Sequence, residues 1–185
     1  MELSKTGPIL AIFASSKGPG DAERVSLMSQ TGSYFAKRGA QILCLAENGN
    51  LPIPLITAAR AAGGAVQIVA DTTIVLPPAL SGVNMEVLED QAARFARVSE
   101  LAVGLVALPG SLASATEMFG VWSAGKTAGR SRPVIMLNRH KAFEVMRGYA
   151  ADVLSPGLKG YDKAIQFADT VEDLWSRISR MVEGR

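Results

Sequence analysis

Three stretches of this chain set small, hydroxylic and charged residues where an apolar run stops. The richest is LPGSLASATE, residues 108–117. Pro109 and Gly110 break the preceding run and allow a sharp turn. Ser111, Ser114 and Thr116 supply hydroxyls, and the backbone N–H groups from Gly110 to Ser114 would stand free at the start of a helix. A helix start with free N–H groups attracts phosphate, and Glu117 would lie close enough to face the same ligand. The same letters also fit ordinary helix capping, a Ser followed by an early Glu, and both readings stand at this point. The second stretch, ASSKGPGD, offers Ser15, Ser16 and Lys17 ahead of two glycines; it is either an anion-binding loop or a loop capped by Asp21. The third, ENGNLPIP, contains Asn48-Gly49, a pair suited to a tight turn. Pro52 and Pro54 remove two N–H donors there, which favours a plain turn into a helix over a phosphate cradle.

Other reactive side chains are few. The single cysteine, Cys44, sits in the apolar run QILCLA and reads as a small buried hydrophobe. The single histidine, His140, has no partner at metal-ligand spacing, so no metal site is expected. It follows the run VIML, where a helix should start. With 19 basic and 17 acidic residues the formal net charge is +2, and no basic block argues for nucleic acid. No apolar run approaches the ~20 residues of a membrane span, and PILAIFA is too short for a secretory core. A cytoplasmic, membrane-free protein is the expectation. The 185 residues suit one domain, and the positive mean hydropathy of +0.20 hints at surface covered in an oligomer.

These stretches need a frame, and the pattern supplies one. Continuous apolar runs at Pro8–Ala14, Gln41–Ala46, Ala65–Ala70, Leu101–Leu108 and Pro133–Leu137 read as buried parallel strands, with a shorter one at Ala164–Phe167. Helical patterns fall between them. Val25, Met28, Gly32 and Phe35 follow an Asp21 cap and stop at Gly39. Further helices are expected at Pro52–Ala62, at Val83–Ser99 with Val87, Leu88, Ala92, Phe95 and Val98 inward, from the 108–117 turn to about Lys126, and near Lys141–Val153. A last helix spans Val171–Val182, with Val171, Leu174, Trp175, Ile178 and Val182 on one face. The segment DTTIVLPPALSG is ambiguous, and Pro77-Pro78 ends any strand there. Alternating strand and helix give an α/β fold, a single doubly wound Rossmann-like parallel sheet sandwiched by helices. Such sheets bind ligands at the carboxyl ends of their strands, near the point where strand order reverses, and all three stretches sit at such ends.

The stretch at 108–117 resembles the P-G-G-x-G-T-x-x-E signature of the LOG (LONELY GUY) phosphoribohydrolases, long labelled lysine decarboxylases. Pro109, Gly110 and Glu117 match in register, and Ser114 replaces Thr by another hydroxyl. Arg94 falls at the position of the family's catalytic Arg, with Phe95 in place of the Lys that follows it. Phe13-Ala14-Ser15-Ser16, Ala62-Gly63-Gly64 and Arg132-Pro133-Val134 are similar to other family stretches. The family's glycine-rich loop corresponds to residues 46–54, where nearly every glycine is absent and Glu47 would meet an approaching phosphate with like charge.

The resemblance implies hydrolysis of the N-glycosidic bond of a nucleoside 5′-monophosphate to free base and ribose 5-phosphate, by a homodimer and without metal or cofactor. Glu117 would stabilise the oxocarbenium-like transition state or activate water, and Arg94 would hold the substrate. Ser15, Ser16, Lys17, Asn48, Gly49, Pro109, Gly110, Ser111, Ser114 and Thr116 would form the nucleotide and phosphate site. The alternative is a protein of the same fold that binds a nucleotide-like ligand without hydrolysing it. Related folds serve as ligand sensors, as a molybdenum-cofactor carrier and as the DNA-binding core of DNA-processing A proteins.

Overall fold

A computed structural model of the chain describes residues 7–15, 22–157 and 159–184. The apolar runs form the strands β1 (Ile9–Phe13), β2 (Gln41–Ala46), β3 (Val66–Ala70), β5 (Gly104–Ala107), β6 (Val134–Leu137) and β7 (Ile165–Ala168). One further strand, β4 (Asn84–Val87), lies where the sequence pattern pointed to helix. The seven strands make one parallel sheet in the order β4-β3-β2-β1-β5-β6-β7. The chain builds outward from β1 to β4, returns to lay β5 on the free side of β1, and continues to β7. The reversal therefore falls between β1 and β5, where Phe13 faces Ala107.

Two helical layers cover the sheet, because successive side chains on a strand point to opposite faces. Leu10 and Ile12 of β1, with Ile42 and Cys44 of β2, pack under α1 (Ala22–Lys37), α2 (Ile53–Ala61) and α8 (Val171–Glu183). Ala11, Phe13, Leu43 and Leu45 pack under α3 (Gln91–Leu101) and α4 (Leu112–Thr127), joined by Phe143 and Met146 around α5 (Glu144–Tyr149). A π turn over Ala150–Leu154 and two short helical turns, α6 (Ser155–Gly157) and α7 (Tyr161–Ala164), lead to β7. Helix α8 buries the face its spacing predicts, with Trp175 edge-on to Phe35 at 5.1 Å between ring centres. Gly32 lets α1 meet α2 closely: a Cβ there would stand 2.4 Å from the Leu55 carbonyl oxygen. Helix α1 ends as expected at Gly39, whose φ is +84°.

One helical reading needs correction. Val83–Ser99 is not one helix. Its first part is the edge strand β4, and α3 begins only at Gln91, where the Asp90 carboxylate accepts a hydrogen bond from the Ala93 N–H at 2.9 Å. Val87 consequently lies half exposed at the sheet edge rather than in the core. Of the α1 residues at helical spacing, Met28, Gly32 and Phe35 are buried and Val25 is exposed. Among the described residues, no helix is long and apolar enough to cross a membrane.

Candidate functional site

The β1–β5 reversal brings two of the three stretches together. The β1–β5 ladder continues through the Leu108 N–H to the Phe13 carbonyl at 2.9 Å. The chain then turns at Pro109-Gly110 against the end of β1. A Cβ on Gly110 would stand 3.4 Å from the Ser15 backbone nitrogen, in ordinary van der Waals contact, so the turn lies directly against the loop after β1. Ser15 is buried beneath this turn. Ser16, Lys17 and the expected Asp21 cap lie outside the described residues.

Ser111 occupies the N-cap position of α4 with an extended backbone (φ −145°, ψ 164°), yet its side chain makes no cap hydrogen bond. Simple capping therefore does not describe this helix start. The Ser111 and Ser114 hydroxyl oxygens are both buried and have no hydrogen-bond partner. A buried polar group left unpaired costs about 1–3 kcal/mol, and the first-turn N–H groups of a helix also need partners from outside it. Thr116 differs: its hydroxyl is exposed and donates to the Leu112 carbonyl at 2.9 Å.

The turn opens on a cleft of about 480 Å³. Pro109, Gly110, Ser111, Leu112 and Ala115 form one wall, Glu23, Arg24 and Leu27 of α1 a second, and residues 139–146 a third. Arg24, Arg139 and His140 line it together with Glu23. The Glu23 carboxylate forms an ion pair with Arg139 Nε at 3.1 Å and is 2.9 Å from His140 Nε2. His140 and Lys141 have φ of +53° and +60°, a left-handed backbone that residues other than glycine seldom adopt. Asn138 anchors this bend. Its N–H donates to Ala168, its side-chain oxygen accepts from the Phe143 N–H at 2.7 Å, and its amide donates to Glu144 at 2.8 Å. Nothing in the sequence marked Glu23, Arg24 or Arg139 as site residues, because three segments distant in the chain meet only in the fold.

The remaining expected residues stand at the ends of β2 and β3. Glu47 is buried and points into the protein, where Arg94 Nε and Nη2 donate to one of its oxygens at 2.9 and 2.7 Å. Gln91 donates to its other oxygen at 2.9 Å. The expected repulsion between Glu47 and a phosphate is thus corrected: the carboxylate is neutralised by Arg94 and turned away from solvent. Arg94 is itself buried, and its Nη1 donates to the Leu88 and Glu89 carbonyls. Asn48 (φ +54°) and Gly49 (φ +71°) form a tight turn. Their N–H groups donate to Asp71 and to the Thr73 hydroxyl, both at 2.8 Å. Burial pushes the Asp71 carboxyl upward, but hydrogen bonds from the Thr73 hydroxyl and from the Asn48 and Thr73 N–H groups, with the nearby Arg94 charge, outweigh it and hold it below its ordinary value.

Among the described residues, Ser114, Thr116, Arg94 and Glu117 do not line the cleft at Gly110. Glu117 is half-buried on α4. The Phe95 ring fills the space a Cβ would take at Gly120, so α3 and α4 pack side by side with Arg94 and Glu117 near their starts. Cys44 is buried, which pushes its thiol up to about 12 and leaves it protonated and unreactive. No group of three residues among those described could hold a metal ion.

No family model and no curated protein matches this chain. Solved structures do. The protein TM1055 superimposes with a TM-score of 0.67 at 20% identity, covering 94% of this chain and 99% of its own. The molybdenum cofactor carrier protein of Chlamydomonas reinhardtii gives 0.66 at 18% identity, covering 95% of this chain and 98% of its own. The molybdenum cofactor binding protein of the phototrophic bacterium Rippkaea orientalis gives 0.67 at 17% identity, covering 95% and 97%. The chain thus shares the Rossmann-like α/β fold of these structures, a parallel sheet covered by helices on both faces.

Proposed function

We propose that this protein binds a small nucleotide-like molecule at the β1–β5 crevice, seating a phosphate or equivalent anion on the start of α4 and holding it without turnover. One observation carries the reading: the α4 start has no side-chain cap, and the hydroxyl of Ser111, a residue that lines the cleft, is buried there without a partner. A phosphate would satisfy this hydroxyl and the first-turn N–H groups together. The basic groups Arg24, Arg139 and His140 supply matching charge. Retention without reaction is favoured because Arg94 is committed to Glu47. It also accords with the carrier and binding roles named for the two molybdenum cofactor proteins of like fold.

The test is Ser111→Ala. Removing a buried hydroxyl that has no partner leaves the empty protein as stable as before, or more so. Losing a bond to a charged ligand weakens nucleoside-monophosphate binding about ten- to a hundredfold by calorimetry. Molybdenum cofactor belongs in the same binding screen. A Ser111→Ala protein that melts lower yet binds unchanged would overturn the reading. A second reading, N-glycosidic hydrolysis of a nucleoside monophosphate, is supported by Glu117 standing half-buried on α4 beside the helix that carries Arg94. It predicts release of free base by the wild type and its loss in Glu117→Gln.

A further inference from the structure

We propose that Glu23 stands in for a second anionic group of the ligand, so that the cleft takes a molecule with two separated anionic centres and exchanges Glu23 for one of them. The inference rests on the phosphate site at α4 proposed above and specifies the class of its ligand. A carboxylate and a phosphate make the same demands: negative charge and oxygens that accept from guanidinium and imidazole N–H groups. Arg139 and His140 already meet those demands for Glu23, at 3.1 and 2.9 Å across the cleft wall.

The contact is built to be exchanged. The three side chains are 41%, 72% and 45% exposed, in the order Arg139, His140, Glu23. Such water-accessible pairs contribute little to stability, unlike the buried Arg94–Glu47 pair, whose side chains are 6% and 1% exposed. Once released, Glu23 stays favourable, because it lies in the first turn of α1 where the helix dipole and water both stabilise a negative charge. The backbone that carries Arg139 and His140, by contrast, is held in place. Two consecutive residues other than glycine adopt left-handed backbone at His140 and Lys141, and buried Asn138 fixes the bend on both sides. Strain of this kind persists where the surrounding structure enforces it, commonly beside a ligand. The cleft therefore offers two fixed anion seats, the α4 start and the Arg139–His140 pair, with a movable carboxylate resting on the second.

The experiment compares adenosine 5′-monophosphate with adenosine 3′,5′-bisphosphate and adenosine diphosphate, by calorimetry, on wild type and two full-length variants. The wild type is expected to bind at least one of the doubly phosphorylated compounds more tightly than the monophosphate. Glu23→Gln raises that preference about two- to fivefold, the effect of removing one exposed competing ion pair. Arg139→Gln lowers it. Melting curves check that both variants fold, and the ratio of affinities is unaffected by a uniform loss of competent protein. If Glu23→Gln strengthens all compounds equally, the effect is one of general charge and the inference is overturned while the α4 phosphate site stands. A preference that falls in Glu23→Gln overturns it likewise. If the wild type binds none of the compounds, the α4 site fails and this inference with it.

Discussion

Replacing Glu47 by Gln keeps its shape but removes its charge, leaving Arg94 buried without its counter-ion. Three donors now converge on the Glu47 carboxylate, two from Arg94 and one from Gln91. Removing one partner of a buried ion pair costs about 3–5 kcal/mol. Arg94 keeps its two carbonyl acceptors at Leu88 and Glu89, at 2.8 and 2.7 Å, and senses the nearby Asp71 charge. These place the cost near the lower bound, about 3 kcal/mol. For a chain of this length that is a fall in melting temperature of about 6–12 °C. Urea denaturation and thermal melting both read it. The double variant Glu47→Leu with Arg94→Leu should recover most of the loss, because an apolar pair pays no desolvation of charge. A single Glu47→Gln variant within about 1 kcal/mol of wild type would refute the argument, as would a double variant less stable than the single one.

Two further effects follow from packing and charge. Gly32→Ala puts a Cβ 2.4 Å from the Leu55 carbonyl oxygen, and the forced separation of α1 from α2, about 1–3 kcal/mol, exceeds the helix-propensity gain. Stability in urea should fall, whereas Gly148→Ala, with nothing within 4 Å of its Cβ, should raise stability by about 0.5–1 kcal/mol; the reverse order would refute the helix contact. Asp71 titrates below its ordinary value in the folded protein. Its contribution is therefore complete above the unfolded carboxylate pKa of about 4 and is lost as pH falls through the lower folded value. The melting-temperature gap between wild type and Asp71→Asn should shrink on acidification, and a gap that widens would contradict the assignment.

The buried strands could be read directly, because a parallel sheet covered on both faces leaves uninterrupted apolar runs such as PILAIFA and QILCLA. Strand β4 could not. As an edge strand reading NMEV it is only partly covered, so its letters carry no apolar run, and Val87-Leu88 happened to continue the helical spacing of α3. Asp90 was the available signal for the true helix start, and it sits at the boundary the longer pattern hid. In the candidate site, the Pro109-Gly110 turn was visible because local backbone demands select its residues. The partner of Glu47 was not, since Arg94 lies 47 positions away and only the β2–β3–α3 packing brings them together. The same limit hid Glu23 and Arg139, which are joined across 116 positions by an ion pair that has no local pattern.

The tight turn at Asn48-Gly49 has a consequence for how the crevice can change shape. Its N–H groups are fastened to Asp71 and Thr73, and Glu47 beside it is locked to Arg94. On the opposite side, the exposed Glu23 carboxylate links α1 to the Arg139–His140 bend. The β2–β3 ends are thus fastened, and so is the backbone that carries Arg139 and His140. Adjustment to ligands of different size falls to the water-accessible Glu23 side chain between them.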